Sequence, residues 1–74
     1  MSIVIHGANK VAFGRLGESG ATEEEVGAAL HEWSGFHPAT EPCDGCAPIG
    51  RARLKLLDKL GIARRRRNGV WVKR

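Results

Sequence analysis

Four residues with side chains that bind zinc fall within sixteen positions of one another: His31, His37, Cys43 and Cys46. Their spacing is H-x5-H-x5-C-x2-C. Imidazole nitrogens and cysteine sulfurs are the ligands that Zn²⁺ takes in structural sites, and four of them complete a tetrahedron. The dipeptide Asp44-Gly45 supplies a tight turn that would aim both sulfurs at one ion. We therefore expect a structural zinc ion as the cofactor of this chain.

Other roles for the two cysteines stay open, because the spacing matches no standard zinc finger. Cys43 and Cys46 could be free thiols beside surface histidines, or a disulfide or redox pair, although a thioredoxin-like dithiol would need a βαβ setting that this sequence does not offer. A metal would supply the extra stabilisation that a chain of 74 residues needs, because so small a domain buries a limited core. His6, the third histidine, is expected to be structural or exposed.

The segment before the second ligand predicts a helix, "ATEEEVGAALHEWSG", residues 21–35. Thr22 can cap its first turn while Glu25 reaches back to the Thr22 amide, and acidic residues suit the positive end of a helix dipole. One apolar stripe then follows at helical spacing, which we expect to face the core. Its members are Val26, Ala29, Leu30 and Trp33.

A second helix is predicted after the cysteines, over residues 48–60 of "PIGRARLKLLDKLGI". Pro48 suits the first helical position, and Gly61 suits the residue just past the end. The expected buried side holds Ile49, Leu56, Leu57 and Leu60, with Leu54 beside it. Either Ala52 or Arg53 completes that buried side. Arg51 and Lys55 line the remaining surface, and Lys59 and Arg53 are candidates for it.

The C-terminal residues "IARRRRNGVWVKR" predict a β-hairpin, because Asn-Gly between strand-like residues favours a two-residue type I′ turn. With Asn68-Gly69 as the loop, the expected pairs are Arg67 with Val70, Arg66 with Trp71, and Arg65 with Val72. A disordered basic tail is the alternative, since an isolated two-stranded hairpin is marginally stable.

The first twenty residues carry weaker signals. "SIVIH", residues 2–6, favours a strand, and residues 9–18 favour a short helix that Gly14 and Gly17 weaken. The whole pattern predicts an α+β domain of two to three helices and a hairpin.

Charge is divided unequally along the chain. Residues 50–74 hold ten lysines and arginines against one aspartate, a net charge of +9, whereas residues 1–49 hold two cations against seven acids, a net charge of −5. Such asymmetry favours a polyanionic partner for the basic half, nucleic acid before membrane. The chain has neither a secretory signal pattern nor an apolar run of about 20 residues. We expect a soluble protein located in the cytoplasm of a bacterial host cell.

Three segments together, G-A-T-E-E-E-V-x-x-A-L, R-x-R-L-x-x-L-x-x-L-G-I and the hairpin ending in V-W-V, resemble the winged helix-turn-helix proteins found among small phage and actinobacterial regulators. The resemblance covers about residues 19–73. It implies one winged-helix domain over residues 1–74, a recognition helix at 48–60 and a wing at 62–72. Residues 34–47 depart from the family pattern, where a short turn would join the two helices.

The resemblance also implies a function, which is DNA binding in transcription regulation by a phage or mobile element. Double-stranded DNA is then the expected partner, and nine cations are the expected contacts: Arg51, Arg53, Lys55, Lys59, Arg64, Arg65, Arg66, Arg67 and Lys73. No nucleophile motif or phosphate loop is found, and the glutamates at 23–25 serve capping, so no enzymatic activity is expected. The alternatives are a zinc-stabilised module bound to RNA or the ribosome, and a phage protein that binds a host protein.

Overall fold

The computed structural model describes residues 6–41 and 43–74. Within these ranges three helices are followed by a two-stranded antiparallel hairpin, which confirms the α+β class. In chain order the elements are α1 Gly7–Leu16, α2 Glu23–Trp33, α3 Cys46–Lys59, β1 Ala63–Arg65 and β2 Trp71–Lys73. The strand predicted at residues 2–6 lies outside the described residues, apart from His6, which is exposed and directly precedes α1. Helix α1 begins and ends two residues before the helix predicted at residues 9–18.

Helix α2 begins as the sequence predicts. The Glu25 amide donates to Thr22 Oγ1 at 3.1 Å, and the Thr22 amide donates to Glu25 Oε1 at 2.9 Å, which is a complete capping box. Val26 and Leu30 are buried, but Trp33 is 57% exposed, so its predicted core position is wrong. The last turn of α2 buries His31 instead, on the side that faces the start of α3.

Helices α2 and α3 cross with their backbones in contact. A Cβ on Gly27 would overlap the main chain of Cys46, and a Cβ on Gly50 would overlap the carbonyl of Glu23. Glycine is therefore needed at both positions, because only a residue without a side chain allows so close an approach. This crossing fixes which side of α3 is buried.

The buried side of α3 differs from the prediction. Its buried residues are Cys46, Gly50, Leu54 and Leu57, whereas Ile49, Leu56 and Leu60 are 42%, 44% and 46% exposed. The prediction is confirmed for Leu57 and for Leu54 beside it, and it is wrong for Ile49, Leu56 and Leu60. The apolar spacing ignored Gly50, whose missing side chain brings its own face of α3 against α2. The helix also begins at Cys46, two residues before Pro48.

The end of α3 follows the prediction. The Gly61 amide donates to the Asp58 carbonyl at 2.9 Å and the Ile62 amide donates to the Leu57 carbonyl at 3.1 Å. These two bonds form a Schellman motif, with Gly61 at a positive φ of 78°. The chain turns there directly into β1.

The hairpin exists, but its register is shifted by one residue from the prediction. Ala63 pairs with Lys73, Arg64 with Val72, and Arg65 with Trp71. As a result Trp71 shares its face with Arg65 rather than Arg66. The predicted pairs Arg67–Val70, Arg66–Trp71 and Arg65–Val72 are wrong.

The shift arises in the loop. The Arg66 amide donates to the Val70 carbonyl at 2.8 Å, so three residues are enclosed instead of two. Gly69 has a φ of 84°, whereas none of the described non-glycine residues has a positive φ, which rules out a type I′ turn at Asn68. Asn68 Oδ1 instead accepts a hydrogen bond from the Val70 amide at 3.1 Å.

The hairpin is anchored to the helices. Ala21 and Trp71 exchange two backbone hydrogen bonds, of 2.9 and 2.8 Å, so the segment before α2 extends the hairpin by one bridge. Trp71 is buried in a core built from every helix and from the hairpin: Ala12, Leu16, Ala21, Val26, Leu30, Leu54, Leu57, Ala63 and Trp71. These contacts stabilise a hairpin that would be marginal alone. No helix among the described residues is long and apolar enough to cross a membrane.

Candidate metal centre and basic cleft

The four predicted zinc ligands come together where α2 ends and α3 begins. His31 lies in the last turn of α2, and Cys46 is the first residue of α3. His37 and Cys43 come from the loop between these helices. Because α2 and α3 cross closely, Cys46 Sγ lies 3.4 Å from His31 Nδ1. The loop then brings in the other two ligands.

The ligand atoms form a compact tetrahedron. His31 Nδ1 lies 2.9 Å from His37 Nε2, the two sulfurs are 3.5 Å apart, and the four nitrogen–sulfur distances run from 3.3 to 3.6 Å. A tetrahedral site with Zn–N of about 2.0–2.1 Å and Zn–S of about 2.3 Å has edges of roughly 3.3–3.8 Å. The nitrogen–nitrogen distance between the two histidines is shorter than this range. The other five distances lie within it.

The surrounding hydrogen bonds orient the ligands for a cation. His37 Nδ1 donates to the Pro38 carbonyl at 2.8 Å, so in the neutral imidazole Nε2 is the nitrogen with the free lone pair, and it is turned toward the other ligands. The Cys43 amide donates to Cys46 Sγ at 3.2 Å, a contact that favours a thiolate. Two ring nitrogens and two sulfurs therefore converge on one point, which is the donor set that a zinc ion takes.

The two thiols differ in acidity. Burial raises the pKa of Cys43, but hydrogen bonds with Cys46 and His37 outweigh it and hold that pKa below its usual value. Burial raises the pKa of Cys46. The hydrogen bond to the Pro38 carbonyl raises the pKa of His37. The hydrogen bonds around Cys43 therefore favour its thiolate, which is the form that binds a metal ion.

Four protein side chains complete the coordination, so the cluster fits a structural rather than a catalytic zinc site. His31 and Cys46 are buried, and the other two ligands are partly buried. The ring of Phe36 packs against His31 at a centroid distance of 5.0 Å and against His37 at 5.5 Å. The long segment between the two helices is therefore the loop that builds the metal centre.

A second cluster, which we call the basic cleft, lies at the other end of α2. Its walls come from α3, β1, β2 and the first residue of α2, and it encloses about 240 Å³. It is lined by Glu23, Arg51, Lys55, Arg65 and Trp71. Three of the cations predicted to bind DNA thus meet around one carboxylate.

Glu23 is bonded on both of its oxygens. Arg51 Nε donates to Oε1 at 3.1 Å, and the indole Nε1 of Trp71 donates to Oε2 at 3.2 Å. Burial raises the pKa of Glu23, but the hydrogen bonds from Arg51 and Trp71 outweigh it, so the pKa lies below its usual value. This role could not be predicted from the sequence, where Glu23 is one of three consecutive acids at a helix start.

The remaining predicted cations occupy different surroundings. Arg53 is partly buried and donates from Nη1 to Asn9 Oδ1 at 3.1 Å, on the α1 side of α3. Lys73 Nζ lies 4.6 Å from the centroid of the Phe13 ring, also against α1. The other four are exposed: Lys59, Arg64, Arg66 and Arg67. The basic cleft and the exposed hairpin loop are therefore separate from Arg53 and Lys73.

Comparison of the chain with protein-family models, with curated proteins and with solved structures gives no match.

Proposed function

We propose that this chain is a zinc-stabilised domain that binds double-stranded DNA through α3 and the hairpin, as a phage or mobile-element regulator of transcription would. The observation that carries the proposal is the basic cleft, where cations from α3 and from β1 meet on one exposed surface. Arg66 and Arg67 extend that surface into the hairpin loop. A basic helix beside a basic hairpin suits a groove and its flanking phosphates.

The order of elements supports a winged-helix arrangement. Helix α1, the bridge at Ala21, α2, α3 and the hairpin follow one another along the chain, and the bridge joins the hairpin to the segment before α2. In this proposal α3 enters the major groove and the hairpin is the wing. The metal centre fixes the α2–α3 angle that the long loop would otherwise leave free.

Duplex DNA is favoured over single-stranded RNA by where the exposed aromatic residues lie. Binders of single-stranded RNA stack bases on aromatic rings. Here the exposed rings lie at the C-terminal end of α2, where Trp33 is the last residue and Phe36 follows, whereas the basic cleft begins at Glu23, the first residue of that helix. The helical rise from Glu23 to Trp33 spans ten residue steps, which corresponds to about 15 Å. The cations of the cleft have no exposed aromatic ring beside them on which a base could stack. Such a surface suits contacts with a phosphate backbone.

The test is a competition experiment with the zinc-loaded protein and a fluorescein-labelled random-sequence duplex of about two helical turns, followed by anisotropy. Unlabelled duplex DNA, single-stranded DNA, single-stranded RNA and double-stranded RNA of the same length serve as competitors. We expect duplex DNA to compete at the lowest concentration. Stronger competition by RNA would favour the RNA-bound module, and the absence of any binding to the labelled duplex would favour a protein partner.

A further inference from the structure

We propose that Arg51 reads a guanine base in the bound duplex and that Glu23 positions it for this contact. The inference rests on the proposed function and assigns a specificity-determining residue within it. It also distinguishes Arg51 from Arg53, which lies two positions further along the same helix.

The geometry of Arg51 suits base reading. Its side chain is 55% exposed, and its Nε donates to Glu23 Oε1 at 3.1 Å. A guanidinium carries five N–H donors in one plane, so the terminal nitrogens keep four of them. Among the described residues these terminal nitrogens have no hydrogen-bond partner. Two parallel donors at the end of an arginine match O6 and N7 of guanine, the commonest specific contact in the major groove.

The carboxylate that holds Arg51 is itself fixed. Glu23 has a side-chain exposure of only 15%, and Trp71 of the hairpin donates to its other oxygen at 3.2 Å. Because both oxygens of Glu23 are occupied, the carboxylate holds a fixed acceptor for Arg51 Nε before DNA arrives. An arginine held in advance loses less conformational freedom on binding than a mobile one.

The neighbouring cations have other roles. Lys55 and Arg65 line the same cleft, where they can neutralise flanking phosphates. Arg53 is bonded to Asn9 of α1 and is partly buried, so it does not share the exposed surface of Arg51. Base reading by α3 is therefore assigned to Arg51.

The experiment is a selection from a library of duplexes with a random central segment, with sequencing of the bound fraction. Wild-type protein should enrich a motif that contains a guanine at one strongly preferred position. Arg51→Lys keeps the charge but loses the planar fork, and Glu23→Gln keeps the shape but loses the anion that holds it. Both variants should reduce the preference at that guanine by roughly 5- to 150-fold, with the other positions of the motif unchanged.

The matched control is Glu24→Gln, which removes one negative charge from the exposed neighbour of Glu23. It should leave the motif unchanged. Equal effects of Glu23→Gln and Glu24→Gln on all sequences would overturn the positioning role, since they would report only net charge. A wild-type protein that binds duplexes but enriches no guanine would overturn base reading while the proposed function survives. A wild-type protein that binds no duplex would overturn both.

A second measurement needs no DNA. In a ¹H–¹⁵N spectrum of the free protein, Glu23→Gln should shift the indole N–H of Trp71 and the Nε–H of Arg51, and it should leave the indole N–H of Trp33 in place. Arg51→Lys should preserve the Trp71 signal near its wild-type position, which shows that the fold is retained. Unchanged Arg51 and Trp71 signals in Glu23→Gln would contradict the proposed positioning.

Discussion

The backbones of Gly27 and Cys46 are in contact, so that a zinc ligand at the start of α3 lies directly on the middle of α2. A Cβ on Gly27 would come closer than 3.0 Å to the Cys46 carbonyl, a separation that real Cβ atoms do not show. The helix crossing and the metal centre are therefore one structural unit. Whatever separates α2 from α3 also displaces a ligand.

Gly27→Ala should destabilise the domain, because the new methyl group forces the two helices apart. We expect a loss of about 1–3 kcal/mol, or more, in the free energy of unfolding, measured by urea denaturation. The control is Gly14→Ala in α1, where a Cβ meets no atom within 4 Å. That variant should gain up to about 1 kcal/mol, because alanine favours a helix over glycine. Two variants of equal stability would argue against the close crossing.

Removal of zinc should unfold the domain or sharply lower its melting temperature. Structural zinc adds its binding free energy to folding, and that energy is on the order of 10 kcal/mol or more in small zinc domains. Circular dichroism before and after chelation measures the change, and Zn²⁺ should restore the original melting curve. An unchanged melting temperature after chelation would show that zinc does not stabilise the fold.

Substitution of a ligand should reproduce that loss. His37→Gln and Cys43→Ser should each weaken zinc binding and lower the melting temperature. His6→Gln is the matched control, because His6 is exposed and lies outside the cluster. Elemental analysis should find one zinc per chain in the wild type and in the control, and less in the ligand variants. Full zinc content in Cys43→Ser would show that this cysteine is not a ligand.

The ligand set and the cap of α2 could be predicted because both depend on short spacings. Thr22 and Glu25 are three residues apart and satisfy each other locally, and Cys43 and Cys46 share one turn. Such features need no knowledge of the rest of the chain. The order and types of the later elements follow from equally local signals.

The faces of α3 and the hairpin depended on tertiary contacts and could not be predicted in the same way. Gly50 carries no apolar side chain, yet its close approach to Glu23 decides which side of α3 is buried. The Asn68-Gly69 pair is compatible with a two-residue loop and with the three-residue loop that is observed. The observed register occurs together with the bridge between Ala21 and Trp71, which joins distant parts of the chain. The bond from Trp71 to Glu23 joins residues 48 positions apart and leaves no trace in sequence spacing.

The hairpin loop should contribute to DNA affinity through phosphates. If about five cations engage, log K should fall against log[salt] with a slope of roughly −4 to −5. Replacing Arg66 and Arg67 by alanine should weaken binding to every duplex and flatten the slope by up to about 2. The control is Lys10→Glu in α1, which lowers the net charge by the same two units on an exposed surface outside the cleft. Equal losses in this variant and in the double variant would indicate only a general charge effect.

The capping carboxylate of α2 should make stability depend on pH. A hydrogen bond from the Thr22 amide holds the pKa of Glu25 below its usual value, and Arg15 adds to this effect. A lowered folded-state pKa stabilises the fold above the unfolded-state pKa, and the stabilisation is lost as the pH falls through the folded-state pKa. Glu25→Gln keeps the cap but not the charge. The free energy of unfolding of the wild type should therefore be larger than that of Glu25→Gln by about a few tenths of a kcal/mol at neutral pH. In acid, where Glu25 is protonated, the two values should be equal.

That comparison is made by urea denaturation of both proteins at a series of pH values, because protonation of the metal ligands then affects them equally. Glu24→Gln is the control, since Glu24 is exposed and is not part of the capping box. A stability difference between wild type and Glu25→Gln that does not change with pH would show that the charge of Glu25 is not responsible.

The most direct test of a zinc-stabilised, duplex-binding domain is one anisotropy titration of a labelled duplex with three samples of the same protein. These are the zinc-loaded form, the form stripped by a chelator and then freed of it, and the stripped form reloaded with Zn²⁺. The zinc-loaded and reloaded samples should bind saturably with the same affinity, and the stripped sample should lose most of its binding because α3 and the hairpin are no longer held together. Equal affinity in all three samples, or no binding by the zinc-loaded form, would contradict the account.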